Sequence, residues 1–279
     1  MHQLSLIYIV DSQSIEQDGL DGSNISPEQL AAILDGPALT PPAGVTPMFA
    51  NPPNENTLSL LALFLCLSAA SVALCIRVYV RFFKLKQVHP GGYLAVVAYA
   101  AYAGMLIGSF RRIFAGPGLF VHQCDIRERD MPEYLLTIFI GAQFYSVAVL
   151  VVKTAILTEW TRTVVPLRSH NVFALSSKLL WSVNAVFYIV MIISCNLICQ
   201  PCRRIWDRKI PGHCIDYRIL SLASAIFNLI LDLTILALPH RVILTLQMSR
   251  AKRVGMSMVF AIGIGACGSS ASRIKSTIQ

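Results

Sequence analysis

The sequence predicts an all-α protein, a polytopic transmembrane helical bundle. Three observations predict it. Of 279 residues, 55% are hydrophobic and only 14% are charged, against about a quarter charged in a soluble domain. Mean hydropathy is +0.60. The apolar residues gather into six long runs with at most one charge each. A helix rising 1.5 Å per residue needs about 20 such residues to cross roughly 30 Å of hydrocarbon, whereas membrane strands would show shorter alternating segments. The net charge of +8 then reads as basic loops at a lipid surface, and no nucleic-acid partner is expected.

Residues 1–56 read as an extramembrane segment ahead of a transmembrane domain over 57–279. The segment is acidic and carries the Pro-rich stretch PALTPPAGVTPMFANPPN (37–54). Proline at this density blocks helices and sheet ladders, so an extended, solvated chain is expected there. LSLIYIV (4–10) is too short and lacks the basic flank of a signal peptide. Asn24-Ile25-Ser26 is a glycosylation sequon, usable at Asn24 if this end lies outside.

The predicted spans follow in order. Residues 57–76, 92–110 and 179–199 carry no charge; 134–158 contains only Lys153, and 219–238 only Asp232. The sixth, 254–271, is uncharged and rich in Gly and Ser. Small residues in the second and sixth runs suit close helix packing. Trp160 and Trp181 fall near one predicted interface, where aromatic belts form.

Orientation rests on the first span. The first 76 residues hold no Lys or Arg, and the next loop holds Arg77, Arg81, Lys84 and Lys86. That asymmetry predicts an outside N-terminus. Summed over all loops, Lys and Arg tie between the two sides.

CQPCRRIWDRKIPGHC, from Cys199 to Cys214, joins the fourth and fifth runs and faces the outside on this orientation. Cysteines oxidise there. A Cys199–Cys214 bridge would staple the two helix ends and, by closing a 16-residue loop, constrain the unfolded chain by about 3 kcal/mol. Zinc ligation is disfavoured because His213 and Cys214 are adjacent, while zinc knuckles use separated pairs. A redox site is disfavoured because Cys199 would end a helix rather than begin one. No metal and no cofactor are expected. Cys202 is left over, and Cys124, in the other outer loop, is its candidate partner.

Ionisable residues within a span are functional candidates. Asp232 falls about 4.5 Å past the centre of its run, at 1.5 Å per residue. Asn228 lies one turn earlier on the same face. Lys153 admits two readings: it snorkels to the inner headgroups, or it pairs with Asp232 inside the bundle. His122 reads as a polar turn residue or as a ligand or pH-sensing group.

Several of these pieces, taken in order, resemble the fungal rhodopsin-domain integral membrane proteins, which include pathogenicity-related receptor-like proteins and satratoxin-cluster-type membrane proteins. LTPPAGVTPMFANPPN resembles the Pro-rich lead-in to the first helix, and Gly116-Pro117-Gly118 through His122 a Gly-x-Gly-x-x-x-His turn. Lys153 with Trp160 and Arg162 resembles the third helix; Cys199-x-Pro201, Trp206 and Cys214 the loop signature; Asn228, Asp232 and Pro239 the fifth helix; Arg273 the end of the sixth. Where the family carries an acidic pair before the second helix, this chain reads His89-Pro90-Gly91-Gly92. The resemblance implies a seventh helix, which is missing before Gln279. Retinal does not follow from the family name, because no seventh-helix lysine is present to hold it.

The resemblance implies a multi-pass protein of the plasma membrane or a secretory membrane, accessory to a secondary-metabolite or mycotoxin gene cluster. Its partners would be the lipid bilayer and an apolar small molecule or biosynthetic enzymes. A receptor-like signalling protein is the alternative. Six spans with an outside N-terminus would put both ends outside, which counts against signalling. A membrane-embedded enzyme such as a cyclase is less supported, since no catalytic constellation is legible.

Overall fold

Five helices among the described residues are long and apolar enough to cross a membrane. The structure, a computed structural model, describes residues 26–41, 46–49, 52–54, 56–84, 90–119, 121–164, 171–215 and 217–245, with single positions 263, 265 and 268. Among the described residues the chain is all-α apart from one short ribbon and one isolated bridge. The predicted sixth span, 254–271, lies outside the described residues except for those single positions.

Helix α1, Pro27–Asp35, begins where Ser26 caps it: Gln29 N–H donates to Ser26 Oγ, and the Gln29 side chain returns the bond to Ser26 N–H. Pro27 occupies the first turn, where a missing N–H is harmless. The spanning helices are α2 (Asn56–Tyr79), α3 (Pro90–Ala115), α4 (Met131–Val164), α5 (Asn171–Asn196) and α6 (Tyr217–Thr245). Pro90 opens α3, and Gly116-Pro117 follows its end. At 34 residues, α4 is about 51 Å long, roughly 20 Å more than the hydrocarbon requires. α6 runs through Pro239, as spanning helices tolerate. Large apolar side chains such as Leu61, Leu65 and Phe64 on α2 are exposed, as lipid-facing positions are.

The sequence places the fourth span over 179–199, but α5 ends at Asn196. Cys199 belongs instead to a two-stranded antiparallel ribbon, β1 (Cys199–Gln200) with β2 (His213–Cys214), in register Cys199↔Cys214.

Two compact units are distinguished. The first comprises the described residues of Met1–Val72 with Tyr102–Tyr145 and Asn196–Ile215. Its core is Val121, Ile126, Met131, Tyr134, Leu135 and Ile138, with Ala38 and Trp206 packed against it. The Pro-rich stretch is therefore not simply solvated, as the sequence suggests. Pro37 bridges to Arg127, Ala38 N–H donates to Ile126 O at 2.9 Å, and Glu128 N–H donates to Gly36 O at 3.0 Å. A short stretch of backbone satisfies itself against the 126–129 loop, and Asp35 reaches Arg129 at 2.9 Å.

The second unit comprises the described residues of Ala73–Ala101, Ser146–Cys195 and Asp216–Gln279. Glu159 binds Arg77 at 3.0 Å and also Arg81. Arg77 further donates to Gly91 O at 3.2 Å. A Cβ at Gly91 would lie against the Glu159 carboxylate, so a larger residue there would displace the end of that side chain from this arrangement. The core of this unit mixes apolar residues (Ala155, Leu157, Ala225, Leu231, Ile235) with buried Lys153, Thr154, Asn184 and Asn228.

Candidate functional site

Those buried polar residues form the candidate site. α4 supplies Lys153, α5 supplies Tyr188, and α6 supplies Asn228 and Asp232. The last two stand one turn apart and so share a face. Lys153 turns inward with its side chain only 6% exposed, and Nζ lies 2.9 Å from Asp232 Oδ1. It also reaches Asn228 Oδ1 at 2.7 Å and Asn228 O at 3.3 Å. An ammonium has three donors, and these are three acceptors.

Asn228 is the hub. Its Oδ1 accepts from both Lys153 and the Tyr188 hydroxyl, and its Nδ2 donates to Asp232 Oδ2 at 3.2 Å. Only this orientation of the amide serves two donors and one acceptor, which is how such an amide is assigned. The Lys153 ammonium also lies 5.7 Å from the centre of the Tyr188 ring. One turn before Tyr188, Asn184 is 0% exposed and ties α5 to α4 through Leu150 O (3.3 Å) and Thr154 Oγ1 (3.4 Å).

Energetics favour the cluster as a unit. A lone Lys or Asp at a helix centre costs about 2.5–3.5 kcal/mol to insert. Paired and hydrogen-bonded, the two carry no net charge into the bilayer. Chemically, the cluster joins an ammonium, a carboxylate, an amide and a phenol by hydrogen bonds, so it can hold a polar group or pass a proton.

The remaining sequence candidates lie elsewhere. Cys199 and Cys214 form a disulfide, and Ile215 N–H donates to Ile198 O at 2.8 Å beside it. Cys124 and Cys202 are not bonded to each other. Cys124 is buried in a turn and Cys202 is exposed, so the proposed second bridge does not form. Burial, and then the charge of Asp125, push the Cys124 thiol above its ordinary range, which keeps it protonated and unreactive. Gly118 has φ +114°, and Leu119 N–H beside it donates to Asn56 Oδ1 at 2.8 Å. His122 is exposed and precedes the 123–125 turn. Gln200–Pro201 is a cis peptide. Trp206 packs on Phe139 at 5.7 Å between ring centres. Pro239 lies within α6. Asn24 and Arg273 lie outside the described residues. Among the described residues, no cluster of His, Cys, Asp or Glu fits a metal ion.

Tyr188 and Asn184 are functional candidates that sequence reasoning missed. The available signal was their spacing of four within an uncharged run, which puts both on one helix face.

The family model for the fungal rhodopsin domain matches residues 76–279. This chain belongs to the fungal rhodopsin domain family. Among the relatives of this fungal rhodopsin-domain protein is the fugralins biosynthesis cluster protein 2 of Gibberella zeae, 36% identical over 88% of this chain and 62% of that one. A SAT4 family membrane protein of Emericella nidulans is 29% identical over 57% of this chain and 41% of its own. The wortmanamides biosynthesis cluster protein C of Talaromyces wortmannii is 26% identical over 44% of this chain and 33% of its own. The chain thus spans less than two thirds of the length of these relatives. No solved structure matches it. The family and the five apolar helices together make this a multi-pass membrane protein.

Proposed function

We propose that this fungal rhodopsin-domain protein is an accessory membrane component of a secondary-metabolite gene cluster, of the mycotoxin type. The Lys153–Asn228–Asp232 network is the intramembrane site on which that role depends. The observation that carries the reading is that relatives are named as biosynthesis cluster proteins, one of them aligned over 88% of this chain. The network adds a residue-level reason. A neutral polar centre inside an apolar protein suits an apolar small molecule that bears a polar group, and intramembrane ion pairs mark such sites.

The N-terminus is assigned to the outside. The first 76 residues carry no Lys or Arg. The loop holding Cys199–Cys214 follows the fourth spanning helix, so it shares the N-terminal side, and a disulfide there calls for an oxidising compartment.

Deletion of the gene in its own fungus, followed by untargeted metabolite profiling, tests the reading. The expected result is a change in the amount of one metabolite family, restored by the wild-type gene and not by Asp232→Asn. An unchanged profile while the neighbouring biosynthetic genes are expressed contradicts it.

A further inference from the structure

The buried face of α6 changes character along its length. From the Tyr217 end it presents Ser221, Ser224 and Asn228, all buried, and then Asp232. Spacings of three and four keep them on one face. Ser221 to Asp232 is about 16 Å at 1.5 Å per residue. Around and past Asp232 the buried positions are apolar: Leu231 and Ile235 on α6 and Leu157 on α4. On α6 the polar face therefore leads from one end of the helix to the ion pair and stops there.

Polar atoms flanking the network are left over. Ser224 donates back to Ser221 O at 2.8 Å, as a helical serine ordinarily does. Ser221 does not: it is 2% exposed, and its Oγ has no partner among the described residues. Asn184 Oδ1, on α5, has none either. Both side chains face protein rather than lipid, where a polar atom is costly unless it is hydrogen-bonded. Water is the ligand that fits both. It can donate to an amide oxygen, bond a hydroxyl in either sense, and occupy polar sites in preference to apolar ones.

We infer that the buried face of α6 is a hydrated path that delivers protons from the Tyr217 end to the Asp232 carboxylate. A hydronium ion gives up one proton, Asp232 becomes a carboxylic acid, and water is left. The ion pair with Lys153 is lost, Lys153 keeps its two Asn228 acceptors, and the site gains one positive charge. Proton binding thus sets how α4 is tied to α6. Among the described residues, the titratable groups facing Asp232 are Lys153 from α4 and, through Asn228, Tyr188 from α5. Glu159 with Arg77 and Arg81 forms a separate set, two turns further along α4. The inference does not rest on the metabolite role, and either can fail without the other.

The test uses the full chain in lipid nanodiscs and has two readouts. Single cysteines are placed in a background that keeps only Cys199 and Cys214, and a small cationic methanethiosulfonate is the probe. Ser224→Cys is expected to react at least about tenfold faster than the lipid-facing Ile226→Cys and Ile230→Cys, because the reactive thiolate needs water. Should Ser224→Cys fail to fold, Ser221→Cys takes its place. The second readout is infrared difference spectroscopy on acidification. A protonated-carboxyl band is expected in the wild type and not in Asp232→Asn. In heavy water the band should shift more slowly in Ser224→Val than in the wild type. Equal reaction of the buried-face and lipid-facing cysteines, a band that survives Asp232→Asn unchanged, or a deuterium shift unaffected by Ser224→Val overturns the inference.

Discussion

Lys153 donates to Asn228 twice, at 2.7 Å to the side-chain oxygen and at 3.3 Å to the backbone oxygen. Asn228 therefore does more than support Asp232: it connects three helices, because Tyr188 donates to the same side-chain oxygen.

Asn228→Leu is expected to destabilise the protein by about 2–3 kcal/mol. It removes a shared acceptor from a buried ammonium and a buried hydroxyl together. Tyr188→Phe removes a single donor and should cost about 1 kcal/mol. Thermal midpoints in one detergent check the order. A Tyr188→Phe loss as large as that of Asn228→Leu would show that Asn228 is not the hub.

The cysteines give a second prediction. Non-reducing peptide mass spectrometry should find Cys199 linked to Cys214. Maleimide labelling of folded protein should modify Cys202 readily and Cys124 only after unfolding, because Cys124 is buried. A peptide joining Cys124 to Cys202 would contradict the arrangement.

Gly118 gives a third. At φ +114° an L side chain is strained, and a Cβ there would lie 2.8 Å from the Asn56 side chain. Gly118→Ala should cost about 1–3 kcal/mol. Gly141→Ala, in α4 with nothing within 4 Å of the added Cβ, should be neutral or stabilising by about 0.5–1 kcal/mol. Equal effects of the two changes on the unfolding midpoint would remove the backbone explanation.

Much of this architecture was legible in the sequence, for identifiable reasons. Runs such as 57–76 announce a span by length and lack of charge alone. Asp232 and Asn228 stood out because a charge inside such a run is conspicuous and a spacing of four puts both on one face. Lys153 could be found but not placed, since a long side chain near a helix end can turn either way, and its direction is set by α6, which sequence does not position. Tyr188 and Asn184 were hidden because neutral polar residues are common in spanning helices. α1 was readable from the Ser26-Pro27-Glu28-Gln29 capping box, but the proline density that follows masked it. The end of α5 was misplaced because Leu197 and Ile198 continue the apolar run after the helix has stopped at Asn196. The Cys124–Cys202 pairing failed because a shared side of the membrane carries no information about burial.

The most direct test of the central claim compares Asp232→Asn, Lys153→Met and the double variant in one host, read as monodisperse protein and as restoration of the metabolite profile of the deletion strain. Removing one partner strands a buried charge and is expected to cost about 3–5 kcal/mol, while removing both can be nearly neutral. The account predicts low folded yield for each single variant and partial recovery of yield in the double variant, with no recovery of the metabolite. Additive losses of yield, or a folded double variant that restores the metabolite fully, would contradict it.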